Sequence, residues 1–183
     1  MVSVDGTRSP RYASAVPAEP TVPAKPAEPA AARALPRPLY LAIGLVLTHP
    51  WFHPIHRRLY RWTGGRAPFS RALGMDMLLV TMRGRQSSAV RVIPLGAVRD
   101  GDAWILIGSN AGKARTPNWV HNLRAGPAVI VEHGAGTGTY RASEALGADY
   151  ERLWAKVTAA YPGYDVYRER TARHIALFVL EPG

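Results

Sequence analysis

The chain has 183 residues and a mass of 19.9 kDa, room for one domain plus a tail. Its formal net charge is +10, and the ten Arg from Arg33 to Arg91 face a single acid, Asp76, which favours a nucleic acid, an anionic lipid or a polyanionic small molecule without choosing among them. There is no cysteine, so disulfides, thiolate metal sites and a cysteine nucleophile are excluded, and any redox role must be borrowed from a bound cofactor.

Residues 1–38 read as a disordered Pro/Ala-rich tail. Pro17, Pro20, Pro23, Pro26 and Pro29 recur every third residue, which favours extended polyproline structure, and little in the segment could form a core. It shows neither a signal peptide nor a lipidation signal, so a cytoplasmic protein is expected. Residues 39–70 read as an apolar and amphipathic helical segment. Leu39–Leu47 is an apolar run of nine, whereas a spanning helix needs roughly 20. Ile55–Trp62 places Ile55, Leu59 and Trp62 on one helical face and Arg57, Arg58 and Arg61 on the other. Two readings fit residues 39–62: helices docked on the core, or a peripheral contact with an anionic membrane surface made by Trp51, Phe52, Trp62 and the arginines. His49, His53 and His56 are near helical spacing, but Pro50 and Pro54 interrupt it and no metal site is expected.

Residues 71–183 form the folded domain. Strands are predicted over Met77–Met82, Val90–Val98, Trp104–Ile107, Ala128–Glu132, Thr139–Ala145 and Ile175–Leu180. Asp100-Gly101 is expected at the centre of one turn, and the Gly-rich His133–Gly138 at another. Helices are expected near 116–126, at Ala148–Ala160, with Leu153, Trp154, Val157 and Tyr161 on one side, and within Tyr161–Arg173. Short strands joined by hairpins, with interspersed helices, make an α+β fold built on a small barrel.

Three stretches carry chemistry. The first, Gly108–Pro127, begins at a strand end with small residues and the cations Lys113 and Arg115. It opens a helix with Thr116 at the N-cap, Pro117 at the first helical position and Trp119 close behind, a combination suited to a phosphate beside a flat ring. It is not a triphosphate loop, because one spacer residue is missing and Ala114 stands where a magnesium-binding hydroxyl is needed. In the second, Arg83, Arg85 and Arg91 flank a turn holding Gly84, Ser87 and Ser88, which offers forked donors and hydroxyls to an anion. The third is Tyr161-Pro-Gly-Tyr-Asp-Val-Tyr167, whose tyrosines three apart would crowd one side of a helical turn, as core packing or as an apolar wall carrying hydroxyls. Gly134–Gly138 joins two strands and opens no helix, so it is a hairpin turn and not a dinucleotide loop.

Together, Gly84-Arg-Gln-Ser87 with Arg91 and Pro94, Gly108-Ser-Asn-Ala-Gly112, Pro117-Asn-Trp-Val-His-Asn-Leu123, the tyrosine stretch and the terminal Val179-Leu-Glu-Pro182 give residues 70–182 a resemblance to the deazaflavin-dependent nitroreductase and quinone reductase family, actinobacterial proteins that bind coenzyme F420. The resemblance implies a split β-barrel of the pyridoxamine-phosphate-oxidase-like, FMN-binding-like kind, with flanking helices. It implies that Arg85, Gln86, Ser87 and Arg91, with Pro94, hold the phosphate and acidic tail of the cofactor. Gly108, Ser109, Asn110 and Ala111 would lie along the deazaflavin ring, and Trp119 and Asn122 would shape that cleft. Tyr161, Tyr164 and Tyr167, with Ser109, would act on the substrate side. Gln86, Ser88, Gly96 and Val120 depart from the family pattern. The implied activity is hydride transfer from reduced coenzyme F420 to a quinone, a nitroaromatic or a similar electron-poor acceptor. The alternative is a non-catalytic carrier or sensor of deazaflavin, flavin or haem. Nucleic-acid binding is not expected, because no motif accompanies the charge.

Overall fold

The computed structural model describes residues 35–49, 52–63 and 74–183. The tail to residue 34, Trp51 and the junction at 64–73 lie outside the described residues, and with them the expectations placed there. Among the described residues, β1 (Asp76–Arg83), β2 (Val90–Asp100), β3 (Ala103–Ile107), β4 (Ala128–His133), β5 (Gly136–Glu144) and β6 (Leu177–Pro182) close an antiparallel barrel in the order β1-β2-β3-β6-β5-β4. With its flanking helices this is the expected α+β split barrel.

The alternation of side chains builds the interior. Leu78, Val80 and Met82 of β1 point inward and meet Ala97, Trp104, Leu106, Val131, Phe178 and Leu180. β3 is buried on both faces, which is why it reads as an unbroken apolar run. Its outward Ile105 and Ile107 belong to a second core with Leu153, Trp154 and Val157 of α4 (Gly147–Ala160) and the tyrosines of α5 (Gly163–Glu169). Each such side chain contributes about 1.5–3 kcal/mol by leaving water.

Several predicted positions shift. The β2–β3 loop is Gly101-Asp102, one residue later than expected, because Gly101 takes the left-handed φ of +61 at the first loop position while Asp100 still pairs with Ala103. The Gly-rich segment is a hairpin as predicted, but its loop is only Gly134-Ala135, and Gly136–Gly138 pair in β5. β6 begins at Leu177 and not at Ile175. The carbonyl of Ile175 accepts from the Tyr150 hydroxyl (3.1 Å) and that of Ala176 from the Gly108 amide (2.8 Å), which takes both out of the ladder. α3 (Asn118–Ala125) starts one residue late as well: Pro117 is its N-cap, with ψ 142 outside the helical region, so Thr116 caps nothing.

Two helices precede the barrel. α1 (Arg37–Leu47) lies against α5 and the loop after β3, burying Tyr40 and Gly44. α2 (Phe52–Trp62) docks through a residue that the amphipathic pattern did not single out. Ile55, Leu59 and Trp62 are 57%, 51% and 83% exposed, and Tyr60 is the anchor at 3%. Its ring packs on Met77 and Leu79, its hydroxyl donates to the Met77 carbonyl (3.0 Å), and it accepts from the Gly134 amide (3.1 Å). The phenol meets both the apolar outer face of β1 and the polar groups at its edge, which an aliphatic side chain cannot do. Arg61 adds a pair with Glu132 at 2.7 Å.

The barrel and α4 are also joined by charge. Asp100 accepts from Lys156 (2.6 Å) and Arg152 (3.0 Å), and these hydrogen bonds, Lys156 first, hold its pKa below the ordinary carboxylate value. A depressed carboxylate stabilises the fold above its unfolded pKa of about 3.9, and the contribution is lost as pH falls toward the folded pKa. Asp100→Asn is expected to cost about 0.5–1 kcal/mol at neutral pH and nothing in strong acid, read from urea unfolding at pH 7 and pH 2.5. Equal losses at both pH values would show that the pairs are not the cause.

Candidate functional site

A cavity of about 180 Å³ opens between the outer faces of β1 and β2, the loop after β3, and the helices α1, α3 and α5. It is lined by Tyr161, Tyr164 and Tyr167 and by Ser109, Asn110, Ala111 and Trp119, the loop packing directly on the helix that carries Tyr167. Pro94, Leu95 and Gly96 form the β2 floor, and Gly44, Leu47 and Thr48 of α1 form the rim. Of the predicted ring-side residues, Ser109, Asn110, Ala111 and Trp119 therefore line the same space as the three tyrosines.

The tyrosine wall is rigid. Tyr161 and Tyr164 meet edge to face at 5.2 Å, as do Tyr164 and Tyr167 at 6.1 Å, and Tyr40 of α1 closes on Tyr161 at 5.1 Å. The close fit needs Gly163, where a Cβ would stand 2.4 Å from the Tyr161 ring. Hydrogen-bond direction separates the three hydroxyls. Tyr167 donates to the Tyr40 carbonyl (2.7 Å), so the 3.2 Å contact between Tyr161 and Tyr167 must be donated by Tyr161. Both protons are thereby committed. Tyr164 donates to the Met75 sulfur (3.0 Å), a weak acceptor that gives up a proton donor readily. Burial pushes the pKa of all three upward, that of Tyr167 to about 12, so each hydroxyl keeps its proton throughout the physiological range.

The loop after β3 is strained. Asn110, Ala111 and Gly112 have φ of 48, 52 and 72, three left-handed residues in a row. Ala111 costs on the order of 1–3 kcal/mol there, and Asn110 less because asparagine tolerates this region, a type of strain that gathers at ligand clamps. The loop's cations fold onto neighbouring elements: Lys113 donates to the Thr48 hydroxyl (2.9 Å) and the Arg115 guanidinium to Asn118 Oδ1 on α3 (3.4 Å), while the Arg115 carbonyl accepts from the Asn110 side chain within the loop (2.8 Å).

The arginine turn stands next to the cavity. Gly84 to Ala89 closes through two backbone bonds, with Ser88 at φ 53. A Cβ on Gly84 would lie 3.1 Å from the Ser87 hydroxyl and 3.8 Å from Arg91 Nε, so the Arg91 side chain lies over the turn. Arg85, Gln86, Ser87 and Arg91 are all exposed. The link to the cavity is Asn122, buried on α3, whose Oδ1 accepts from the Arg85 amide (3.2 Å). Asn122 follows Trp119 by three residues and shares its face of α3, so one helix turn spans from cavity wall to arginine turn. Asn122 thus braces the turn and lines no wall. Gly108 also lies off the cavity: a Cβ there would stand 2.9 Å from Val120, which packs beneath the loop. Sequence reasoning missed Tyr40, Gly44, Thr48 and Met75 as site residues. The tyrosine spacing could have suggested an aromatic partner for the cluster, but not which one.

Residues 52–182 match the sequence pattern of the F420H(2)-dependent quinone reductase family. An F420H(2)-dependent quinone reductase of Mycobacterium tuberculosis (strain ATCC 25618 / H37Rv) is 35% identical over 130 residues, covering 69% of this chain and 87% of the relative. A solved structure of an F420-H2 dependent reductase is 31% identical with a TM-score of 0.54, covering 57% of this chain and 93% of the other. Another solved chain, described as a domain-swapped dimer, is 28% identical with a TM-score of 0.56, covering 69% and 96%. A closed barrel with a ring-sized cavity beside a cationic turn, joined to this similarity over most of the folded residues, makes the chain a member of the F420H(2)-dependent quinone reductase family, an F420-dependent oxidoreductase whose cofactor is reduced coenzyme F420.

Proposed function

We propose that this protein reduces quinones, and electron-poor nitroaromatics with them, in the cavity between Ser109–Ala111 and the tyrosine wall. The observation that carries this reading is the single space lined by Trp119, the strained loop and Tyr164 together. The residues suit the cofactor: apolar walls and Trp119 match a flat ring, and the exposed Arg85, Ser87 and Arg91 match a phosphate and an acidic tail. When bound, reduced coenzyme F420 supplies a hydride. The protein's part is to fix the acceptor against the ring, exclude water with the α1 residues at the rim, and hold a proton at Tyr164 Oη. As the acceptor oxygen gains charge, that hydroxyl exchanges the Met75 sulfur for the stronger oxygen acceptor and hands its proton over. One hydride and one proton convert a carbonyl pair of a quinone to its hydroquinone.

Titration with oxidised coenzyme F420, followed by turnover of the reduced form with menadione, tests the reading. Tight binding without turnover would instead favour a carrier. Arg91→Ala is expected to weaken cofactor binding by about 1.5–3 kcal/mol, the range for a charge-assisted hydrogen bond, with little effect on the KM for menadione. Unchanged affinity would displace the phosphate site from this turn.

We also propose that the chain is organised as a tail (1–38), a helical segment (39–70) and the barrel domain (71–183), and that α2 rests on the inner face of an anionic membrane from the cytoplasmic side. Support comes from the exposed Ile55, Leu59 and Trp62 beside Arg57 and Arg58. Among the described residues no helix is long and apolar enough to cross a bilayer. Flotation should recover the protein with vesicles containing anionic lipid, and Trp62→Ala should reduce that recovery severalfold. Equal recovery with neutral vesicles would count against the contact.

A further inference from the structure

The left-handed stretch after β3 needs an outside hold, because Ala111 at its centre does not adopt that backbone by preference. Arg173, in the segment between α5 and β6, supplies one. Its NH2 donates to the carbonyl of Ser109 (2.6 Å) and its Nε to that of Lys113 (3.0 Å), so one guanidinium spans both ends of the strained stretch. NH1 donates to the carbonyl of His174 (3.3 Å), and Arg170 donates to Ala111 in the middle of the loop (3.4 Å). Among the described residues no carboxylate lies within ion-pair distance of Arg173, and the backbone carbonyls take its donors. Arg173 lines no wall of the cavity, so its effect must pass through the loop.

We propose that Arg173 is a positioning residue: by gripping the carbonyls of Ser109 and Lys113 it holds Ser109–Ala111 in the shape that receives the deazaflavin ring. The inference rests on the assignment of this loop to the cofactor. The planar fork of arginine reaches two carbonyls at fixed angles, which the single ammonium of lysine cannot reproduce.

The test uses the full chain with Arg173→Gln, Arg173→Ala and Arg173→Lys, and three readouts. These are amide hydrogen exchange of residues 109–113 without cofactor, the Kd for oxidised coenzyme F420 by fluorescence, and the KM for menadione. Arg173→Gln should speed exchange in 109–113 at least tenfold and raise the Kd about tenfold, while the KM for menadione stays within twofold. Tens of millimolar guanidinium should restore the affinity of Arg173→Ala, and sodium at the same ionic strength should not. Arg173→Lys, which keeps the charge and the aliphatic stem, should remain folded yet bind as weakly as Arg173→Gln. Wild-type exchange and affinity in Arg173→Gln or Arg173→Lys would overturn the proposal while leaving the cofactor site in place. Faster exchange in a protein whose unmutated form does not bind coenzyme F420 would overturn both.

Discussion

Tyr164→Phe is expected to lower kcat for quinone reduction about a hundredfold, the low end of what a positioned general acid contributes. The ring stays in place, so its edge-to-face contacts with Tyr161 and Tyr167 survive and the fold loses little. The buried Met75 sulfur loses its partner at small cost, because sulfur accepts weakly. Affinity for coenzyme F420 should therefore be unchanged, and the effect should fall on kcat in stopped-flow assays with menadione. The same substitution at Tyr167 should behave in the opposite way. It strands the buried Tyr161 hydroxyl and takes from the Tyr40 carbonyl the bond it accepts beside its helical one, costing about 1–3 kcal/mol of stability, with a modest effect on the chemical step. The pH dependence separates the two roles again. Since burial raises the phenol pKa values, the kcat of the unmutated enzyme should show no loss from tyrosine ionisation between pH 7 and about 10. A raised pKa in the folded state also means that the stability from these phenols is full below the unfolded value near 10 and declines as pH rises through the folded one. A kcat for Tyr164→Phe within a factor of three of the unmutated enzyme would remove Tyr164 from the chemistry and leave solvent as the proton source.

The second large effect is on stability. Gly112→Ala is expected to cost about 3 kcal/mol, combining a left-handed backbone that alanine resists with overpacking. Gly112 has φ 72, and a Cβ would stand 2.6 Å from the Tyr167 carbonyl and 2.8 Å from the Arg170 Cβ. Neither neighbour can move freely: Tyr167 is pinned to Tyr40, and its carbonyl is in the helix that carries the tyrosine wall. For a chain of this size the shift in Tm is about 6–12 °C by calorimetry. Gly134→Ala is the matched control. Its φ is 59, yet a Cβ there meets nothing within 4 Å, so only the backbone cost of about 1–2 kcal/mol applies. Equal losses at the two positions would mean that the contact between loop and α5 is loose.

Much of the site could be read from residue order because its pieces are local. The turn at Gly84–Ser88, the small-residue composition of the loop from Gly108 to Gly112 and the three-residue spacing of Tyr161, Tyr164 and Tyr167 are each visible within a few positions. Other features depended on which neighbour arrived from far along the chain. The amphipathic pattern of α2 set Ile55, Leu59 and Trp62 on one face, for the core or for a membrane, and could not show that the outer surface of β1 presents a carbonyl beside apolar side chains, which Tyr60 satisfies together. Asn122 was expected to shape the cleft and instead braces the arginine turn, since only the closed barrel brings Arg85 over α3.

Sequence alone settled that this is a cysteine-free basic barrel with two cationic turns and a tyrosine helix, because alternation, turn residues and charge are properties of short windows. Tertiary structure decided which tyrosine keeps a transferable proton and what grips the strained loop. Those depend on Met75, Tyr40 and Arg173, each brought to its partner from 60 or more residues away, and no local propensity encodes a contact of that range.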